Sequence, residues 1–351
     1  MFKSKFGAAL LACAAIAVAT VAVPAFAQGD DGSENAGVIG TIHTGVNSTT
    51  TSTHSANITD GLVLIDTVVG YDEGAAAGTG LVLTANGIVI TNHHVVAGST
   101  SVSVTDPSTG KVYDADVLGY DTTHDVAVLQ LVNATNLATV SVAAQPVTSG
   151  SSITAIGNAN GGGQLVTVNG QVTGTGVTVT VTEDNSSDQA TLTNLVETDA
   201  ALVPGDSGGA MFDNSSKVVA MNVAGSTNSY RPAGYGIPIT TALKVANAVM
   251  TGQPNSTVTI GRTGGLGIVV STQSSGAPQI LEVVPGGAAS KAGITAGSSL
   301  TSLDGTSLTS ADQLTAILAG HKPGDQVQAS WQDRKGRDHT ATVTLGVAPL
   351  A

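Results

Sequence analysis

The sequence predicts a mainly β protein made of two folded modules, and three observations carry that expectation. Its 351 residues exceed what one core commonly organises, since domains run to roughly 100–200 residues. From Leu62 onward, short runs rich in Val, Ile and Thr recur between turn residues, the texture of half-buried strands. Helical spacing is confined to Thr240–Met250, with Ala242, Leu243, Val245, Ala246 and Val249 on one side before Gly252, and to a stretch opening at Ser310.

The first module is expected over 61–250. Its strands are read at Leu62–Val69, Leu81–Leu83, Ile88–Thr91, Ser101–Thr105, Val112–Leu118, Val126–Leu131, Ser152–Ala155, Leu165–Val168, Val177–Val181, Leu192–Glu197, Ala210–Phe212 and Val218–Val223. Two of them flank Asn86-Gly87, the dipeptide that most favours a tight hairpin. Residues 251–262 read as a linker. A second module is expected over 263–348, with strands near Gly267–Ser271, Ile280–Val284, Val327–Gln332 and Thr340–Leu345. Its helix starts at Ser310 with Gln313 three residues on, a capping box, and stops at Gly320.

Residues 1–27 differ from all that follows. Lys3 and Lys5 precede an apolar run that ends in Ala25-Phe26-Ala27, the arrangement of an export signal with a small-x-small cleavage site. Two outcomes stay open: cleavage after Ala27, or retention of residues 7–27 as an anchor, which is the only membrane association the sequence suggests. Either places the protein outside the cytoplasm, secreted or at the cell envelope. Residues 28–60 lack Phe, Tyr and Trp and are rich in Gly, Ser, Thr, Asn and Asp, the composition of a flexible leader. The one cysteine, Cys13, lies in the signal segment, so the folded modules hold no disulfide.

With 12 basic residues against 25 acidic ones the formal charge is −13, and removing Lys3 and Lys5 makes it more negative. Such a surface argues against a nucleic-acid partner. No HExxH string or Cys/His cluster suggests a metal, and no cofactor is expected.

Gly205-Asp206-Ser207-Gly208-Gly209 is the most informative string. Glycines on both sides let the chain turn sharply, exposing the hydroxyl and aiming neighbouring N–H groups at a developing oxyanion. The same G-x-S-x-G pattern opens a helix in α/β-hydrolases. Here a hairpin follows instead, Ala210–Phe212 turning through Asp213-Asn214-Ser215-Ser216 into Val218–Val223. Upstream, His94 ends the Asn86-Gly87 hairpin and Asp125 precedes a clean strand, giving the order His, Asp, Ser.

Ala77-Gly78-Thr79-Gly80, Val89 through Val96, His124 through Leu129, Ala155-Ile156-Gly157-Asn158 and Glu197 through Gly209 together resemble the HtrA/Deg family of trypsin-like serine proteases. The resemblance implies a chymotrypsin-like double β-barrel with His94, Asp125 and Ser207 as catalytic triad. It selects His94 over His93, because the family places two aliphatic residues after the base. It implies an oxyanion hole of the Gly205 and Ser207 N–H groups and a specificity pocket with Ala201, six positions before the nucleophile, where trypsin carries an Asp. Asp206 departs from the Asn common in the family and is expected to find a local partner.

Gly265-Leu266-Gly267-Ile268 resembles the carboxylate-binding loop of a PDZ domain, and Val283 through Ile294 with Leu303-Asp304-Gly305 resembles the PDZ stretch of the same proteases. Converging N–H groups there would receive a peptide's C-terminal carboxylate. The expected partners are therefore polypeptide substrates and peptide C-termini. Two functions fit: an endopeptidase acting on unfolded or damaged proteins, or a catalytically idle peptide-binding, chaperone-like protein. The remaining histidines, His43, His54, His93, His124, His321 and His339, have no evident role.

Overall fold

The computed structural model describes residues 57–70, 74–182, 189–225, 233–254, 256–271 and 276–350. The signal segment and nearly all of the expected leader, with Cys13, His43 and His54, lie outside the described residues.

Six strands, β1 (Leu62–Val69), β2 (Gly74–Val82), β3 (Ile88–Thr91), β4 (Ser99–Asp106), β5 (Lys111–Asp121) and β6 (Val126–Leu131), build the first barrel, with the short helix α1 (His93–Val96) after β3. Neighbours run β5-β4-β1-β2-β3-β6, and pairing of β5 with β6 closes the ring. The Asn86-Gly87 hairpin forms as expected, Leu81 facing Ile90 and Val82 facing Val89. Alternate residues of these strands, among them Val63, Ile65, Val89, Val104 and Leu129, fill the interior.

The second barrel closes in the order β10 (Ala210–Phe212), β11 (Val218–Gly225), β12 (Gly234–Pro238), β9 (Gln189–Thr198), β8 (Val166–Thr182), β7 (Ser152–Gly157). Two differences from the sequence reading stand out. The expected strands Leu165–Val168 and Val177–Val181 are one long β8, because Gly170 pairs with Ile153 of β7 while Gly174 and Gly176 fall at register shifts against β9, and none of them ends the strand. Strand β12 was not anticipated: Gly-Tyr-Gly-Ile-Pro has little strand propensity, and its pairing on both edges overrides that.

Helix α2 (Ile239–Met250) turns Ile239, Ala242, Val245, Ala246 and Val249 inward. They join one cluster with Leu62, Ile90 and Val126 of the first barrel and Ile156, Phe212 and Met221 of the second. Each large aliphatic side chain buried there is worth about 1.5–3 kcal/mol, so this seam holds the two barrels in fixed relation.

The expected linker is not featureless. Its residues Val258–Ile260 form strand β13, antiparallel to β5, with Val258 opposite Asp121 and Thr259 opposite Tyr120. The alternation Val-Thr-Ile, buried-exposed-half-buried, is that of an edge strand with one face on a core.

The second module contains β14 (Gly264–Gly265), β15 (Ile268–Val270), β16 (Ile280–Val283), α3 (Ala288–Lys291), β17 (Ser299–Leu303), β18 (Thr306–Ser307), α4 (Ala311–Leu318), β19 (Gln326–Gln332), β20 (Asp338–Thr344) and β21 (Gly346–Val347). A four-stranded sheet β18-β17-β19-β20 and helix α4 enclose Leu300, Leu303, Leu314, Val327, Trp331 and Val343. Helix α4 carries its expected N-terminal cap, the Gln313 N–H donating to Ser310 Oγ at 3.2 Å. After β21 the chain returns to the first barrel, where Leu350, 5 % exposed, packs into the core and exchanges backbone hydrogen bonds with Gly98 and Ser99.

Candidate active site

The first barrel supplies His94 and Asp125. Val95 and Val96 of α1 are buried in the barrel core, which fixes the rotation of this single turn and leaves the His94 side chain partly exposed. Asp125 has φ 52°, a left-handed conformation that costs a non-glycine residue about 1–2 kcal/mol and therefore requires strong local bonding. That bonding is present. The Asn92 side-chain amide donates to the Asp125 carbonyl at 3.0 Å, and the His94 N–H donates to Asp125 Oδ1 at 2.9 Å. Asp125 Oδ2 lies 2.7 Å from His94 Nδ1. An ionised carboxylate only accepts, so the ring proton belongs on Nδ1 and Nε2 keeps its lone pair.

The second barrel supplies Ser207, on the turn between β9 and β10. Gly205 and Gly208 both have positive φ, 91° and 81°. A methyl at Gly208 would sit 2.0 Å from Thr79 O, and one at Gly205 would sit 2.1 Å from Asn158 O. Glycine is thus required twice over, by conformation and by contact. The strings that carried the family resemblance are the braces of this turn. Thr79 Oγ1 donates to Gly205 O at 2.9 Å, Thr79 N–H donates to Ser207 O at 2.8 Å, and the Asn158 N–H donates to Thr79 Oγ1 at 2.9 Å.

Within the turn the N–H groups of Asp206, Gly208 and Gly209 donate to Val203 O, Asn222 O and Asp206 O. Among the described residues those of Gly205 and Ser207 have no acceptor. Two alternate N–H groups left over beside a serine hydroxyl can receive an oxyanion. The Ser207 hydroxyl itself donates to Val223 O at 3.2 Å.

Asp206 is 4 % exposed, and its Oδ2 accepts the Val203 N–H at 2.9 Å, the local partner expected from sequence. Burial raises its carboxyl above the ordinary carboxylate value, and the Val203 bond partly opposes this.

Ala201, expected to line the specificity pocket, lies on the stretch between β9 and Ser207. Its side chain is exposed, and the neighbouring Leu202 is turned inward, directly against Gly225 and Gly234 and into the second barrel's core. The Leu202 side chain gains more from the core than Ala201 would, which sets this burial pattern.

In the second module Gly265 is held in the β14–β21 ladder, and the Leu266 side chain is buried in the core. Gly267 has φ 69°, and Ile268 starts β15 with its side chain half-buried. The carbonyls of Leu266 and Gly267 accept from Ala289 and Val284, whereas among the described residues the N–H groups of Leu266 and Gly267 have no acceptor.

The other described histidines are engaged structurally. His93 stacks on Tyr120 with ring centres 4.9 Å apart, and His339 stacks on Trp331. His321 lies against Asp304 and Asp325. His124 Nδ1 is 2.8 Å from Asp121 Oδ2. Asp121 has no role in the sequence-based expectation. Its signal was faint: an acid four residues before Asp125 at the end of a strand. Among the described residues no group of His, Cys, Asp or Glu is arranged to hold a metal ion.

Two barrels packed against a shared helix, with a histidine–carboxylate pair and a glycine-flanked serine, have the architecture of the trypsin-like peptidase class. The family model of the trypsin-like peptidase domain matches residues 78–221, and that of the PDZ domain matches 264–345. The serine protease Do-like HtrA of Lactococcus lactis is 30% identical over 83% of this chain and 73% of its own length. Serine protease PepD of Mycobacterium tuberculosis is 28% identical over 84% of this chain and 65% of its own. For the periplasmic pH-dependent serine endoprotease DegQ of Escherichia coli the figures are 29%, 76% and 59%. The chain belongs to the HtrA family of serine proteases. It spans less than two thirds of the length of the mycobacterial and E. coli relatives.

Proposed function

We propose that this chain is an exported serine endopeptidase that degrades unfolded or damaged proteins and reads peptide C-termini through its PDZ domain. The observation that carries the catalytic reading is the 2.7 Å contact of His94 Nδ1 with Asp125 Oδ2, in a chain whose Gly205 and Ser207 N–H groups have no acceptor among the described residues. Ser207 Oγ attacks the scissile carbonyl while His94 Nε2 takes its proton, and the same imidazolium protonates the leaving amine. Asp125 holds the tautomer and stabilises the charged ring. The two N–H groups receive the oxyanion, a contribution of about 100- to 1000-fold per donor in comparable enzymes. Water then repeats the sequence on the acyl-enzyme.

Export is supported by the signal-like segment 1–27 and by relatives whose names describe them as periplasmic. Among the described residues no helix is long and apolar enough to cross a membrane. The test of catalysis is casein digestion by the purified protein and by Ser207→Ala: turnover by the wild type and none by the variant is expected, and equal turnover overturns the mechanism.

Two observations favour a second reading, a protein that binds peptides with an idle site. The Ser207 hydroxyl proton is given to Val223 O, and Leu202 occupies the space beside Gly225. Absence of digestion by both proteins, with peptide binding retained, selects this alternative.

A further inference from the structure

The segment that joins the two domains touches the loop that carries the catalytic acid. Strand β13 lies on β5 so that Val258 faces Asp121, the last residue of β5. Asp121 is buried, and three donors converge on its carboxylate. The His124 N–H donates to Oδ1 at 3.0 Å. His124 Nδ1 lies 2.8 Å from Oδ2, and Thr257 Oγ1 donates to the same oxygen at 2.8 Å. Residues 122–124 are thereby tied into a closed loop whose next residue is Asp125, in its left-handed conformation.

Strain of that kind persists only where surroundings over-determine the backbone. Asn92 and His94 hold Asp125 from the far side, and Asp121 holds the loop from the near side. The histidine is reached by the same segment. Tyr120, opposite Thr259, stacks on His93, the residue before His94. The half-buried Arg262 guanidinium donates to Ser99 O at 2.8 Å and Ser99 Oγ at 3.0 Å, three residues beyond α1.

We propose that Asp121 is a positioning residue for the Asp125–His94 pair, and that Thr257, on the segment between the domains, completes its hydrogen bonding. The joining strand is then part of what holds the active site in register, and a displacement of the PDZ domain that pulls on it is felt at Asp125. This rests on the assignment of His94, Asp125 and Ser207 given above.

The test uses the full chain with Thr257→Val and Asp121→Asn, beside Asp125→Asn and Ser207→Ala. Thr257→Val keeps the shape of the side chain and removes one donor. We expect kcat for a peptide substrate to fall about fivefold in Thr257→Val and more in Asp121→Asn, the effect of one hydrogen bond and of several. KM should be unchanged. The acid limb of the kcat/KM–pH profile should move to lower pH, because a loosened carboxylate stabilises the charged imidazole less. A residue that served only stability would lower the folded fraction and leave the profile of the folded enzyme in place. Wild-type kcat and profile in a folded Thr257→Val and Asp121→Asn, with Asp125→Asn and Ser207→Ala inactive, overturn the proposal alone. Full activity in Asp125→Asn or Ser207→Ala overturns the triad as well.

Discussion

The hydroxyl of Ser207 donates to the carbonyl oxygen of Val223 at 3.2 Å. A hydroxyl has one proton, so in this arrangement it is not shared with His94. A neutral hydrogen bond of this kind contributes only about 0.5–1.5 kcal/mol net. Release of the hydroxyl alone therefore changes the rate by about 2- to 13-fold. We expect any ligand that raises casein turnover within this range to act by freeing the hydroxyl. A larger increase, measured as the ratio of stimulated to basal kcat, requires rearrangement of residues 200–206 and the departure of Leu202 from Gly225.

Cleavage should follow small or aliphatic residues. A basic side chain needs an uncompensated acid at the base of the pocket, and the two acids of the loop are already engaged: Asp199 accepts the Gln171 N–H at 2.6 Å and Asp206 accepts the Val203 N–H at 2.9 Å. Burial of an unpaired cation is costly. Profiling with a peptide library checks this, and dominant cleavage after Arg or Lys sinks it.

Asp206→Asn should make the protein more stable at neutral pH. Burial holds the Asp206 carboxyl above its ordinary value of 3.8, so the folded protein binds this proton more tightly than the unfolded chain does. The sign follows from linkage: the contribution is most favourable below the unfolded value and is lost as pH rises through the folded one. Asn keeps an oxygen to accept the Val203 N–H and carries no charge. Melting temperatures of the two proteins should coincide at a pH well below 3.8 and diverge in favour of the variant toward pH 7. A lower melting temperature for Asp206→Asn at neutral pH contradicts the assignment of burial as the dominant cause.

The parts of this protein that were legible in sequence are those governed by neighbours in the chain. Asn86-Gly87 forces its own hairpin, Ser310 and Gln313 cap their own helix, and Gly205 and Gly208 supply the positive φ that their turn requires. His94, Asp125 and Ser207, the expected triad, each sit in a distinctive local string. What was hidden depends on distant partners. Strand β12 exists because β9 and β11 pair with it, and β13 exists because β5 lies beside it. Asp121 gains its place from Thr257, 136 residues away. The inward turn of Leu202 is likewise a choice made by the core.

Binding at the PDZ domain should require a free carboxylate. The Leu266 and Gly267 N–H groups have no acceptor among the described residues, while their carbonyls are held by Ala289 and Val284, so the loop is fixed with these two donors unspent. Beside it Ile268, Val270, Ile317 and Leu318 are partly buried and pack against the domain core, an apolar surface suited to a C-terminal aliphatic side chain. Peptides ending in Val or Leu as free acids should bind, their amidated forms should not, and Ile317→Asp should weaken binding without changing the fold. If the bound peptide favours the active arrangement of residues 200–207, hydrolysis of a separate chromogenic substrate should rise with the same concentration dependence, since a ligand shifts an equilibrium only through differential affinity. Thr257→Val should leave peptide binding intact and reduce that rise, because Thr257 stands between the PDZ domain and the loop of Asp125. Equal binding of free-acid and amidated peptides excludes the carboxylate site, and binding with no change in turnover leaves the PDZ domain as a tether for substrate.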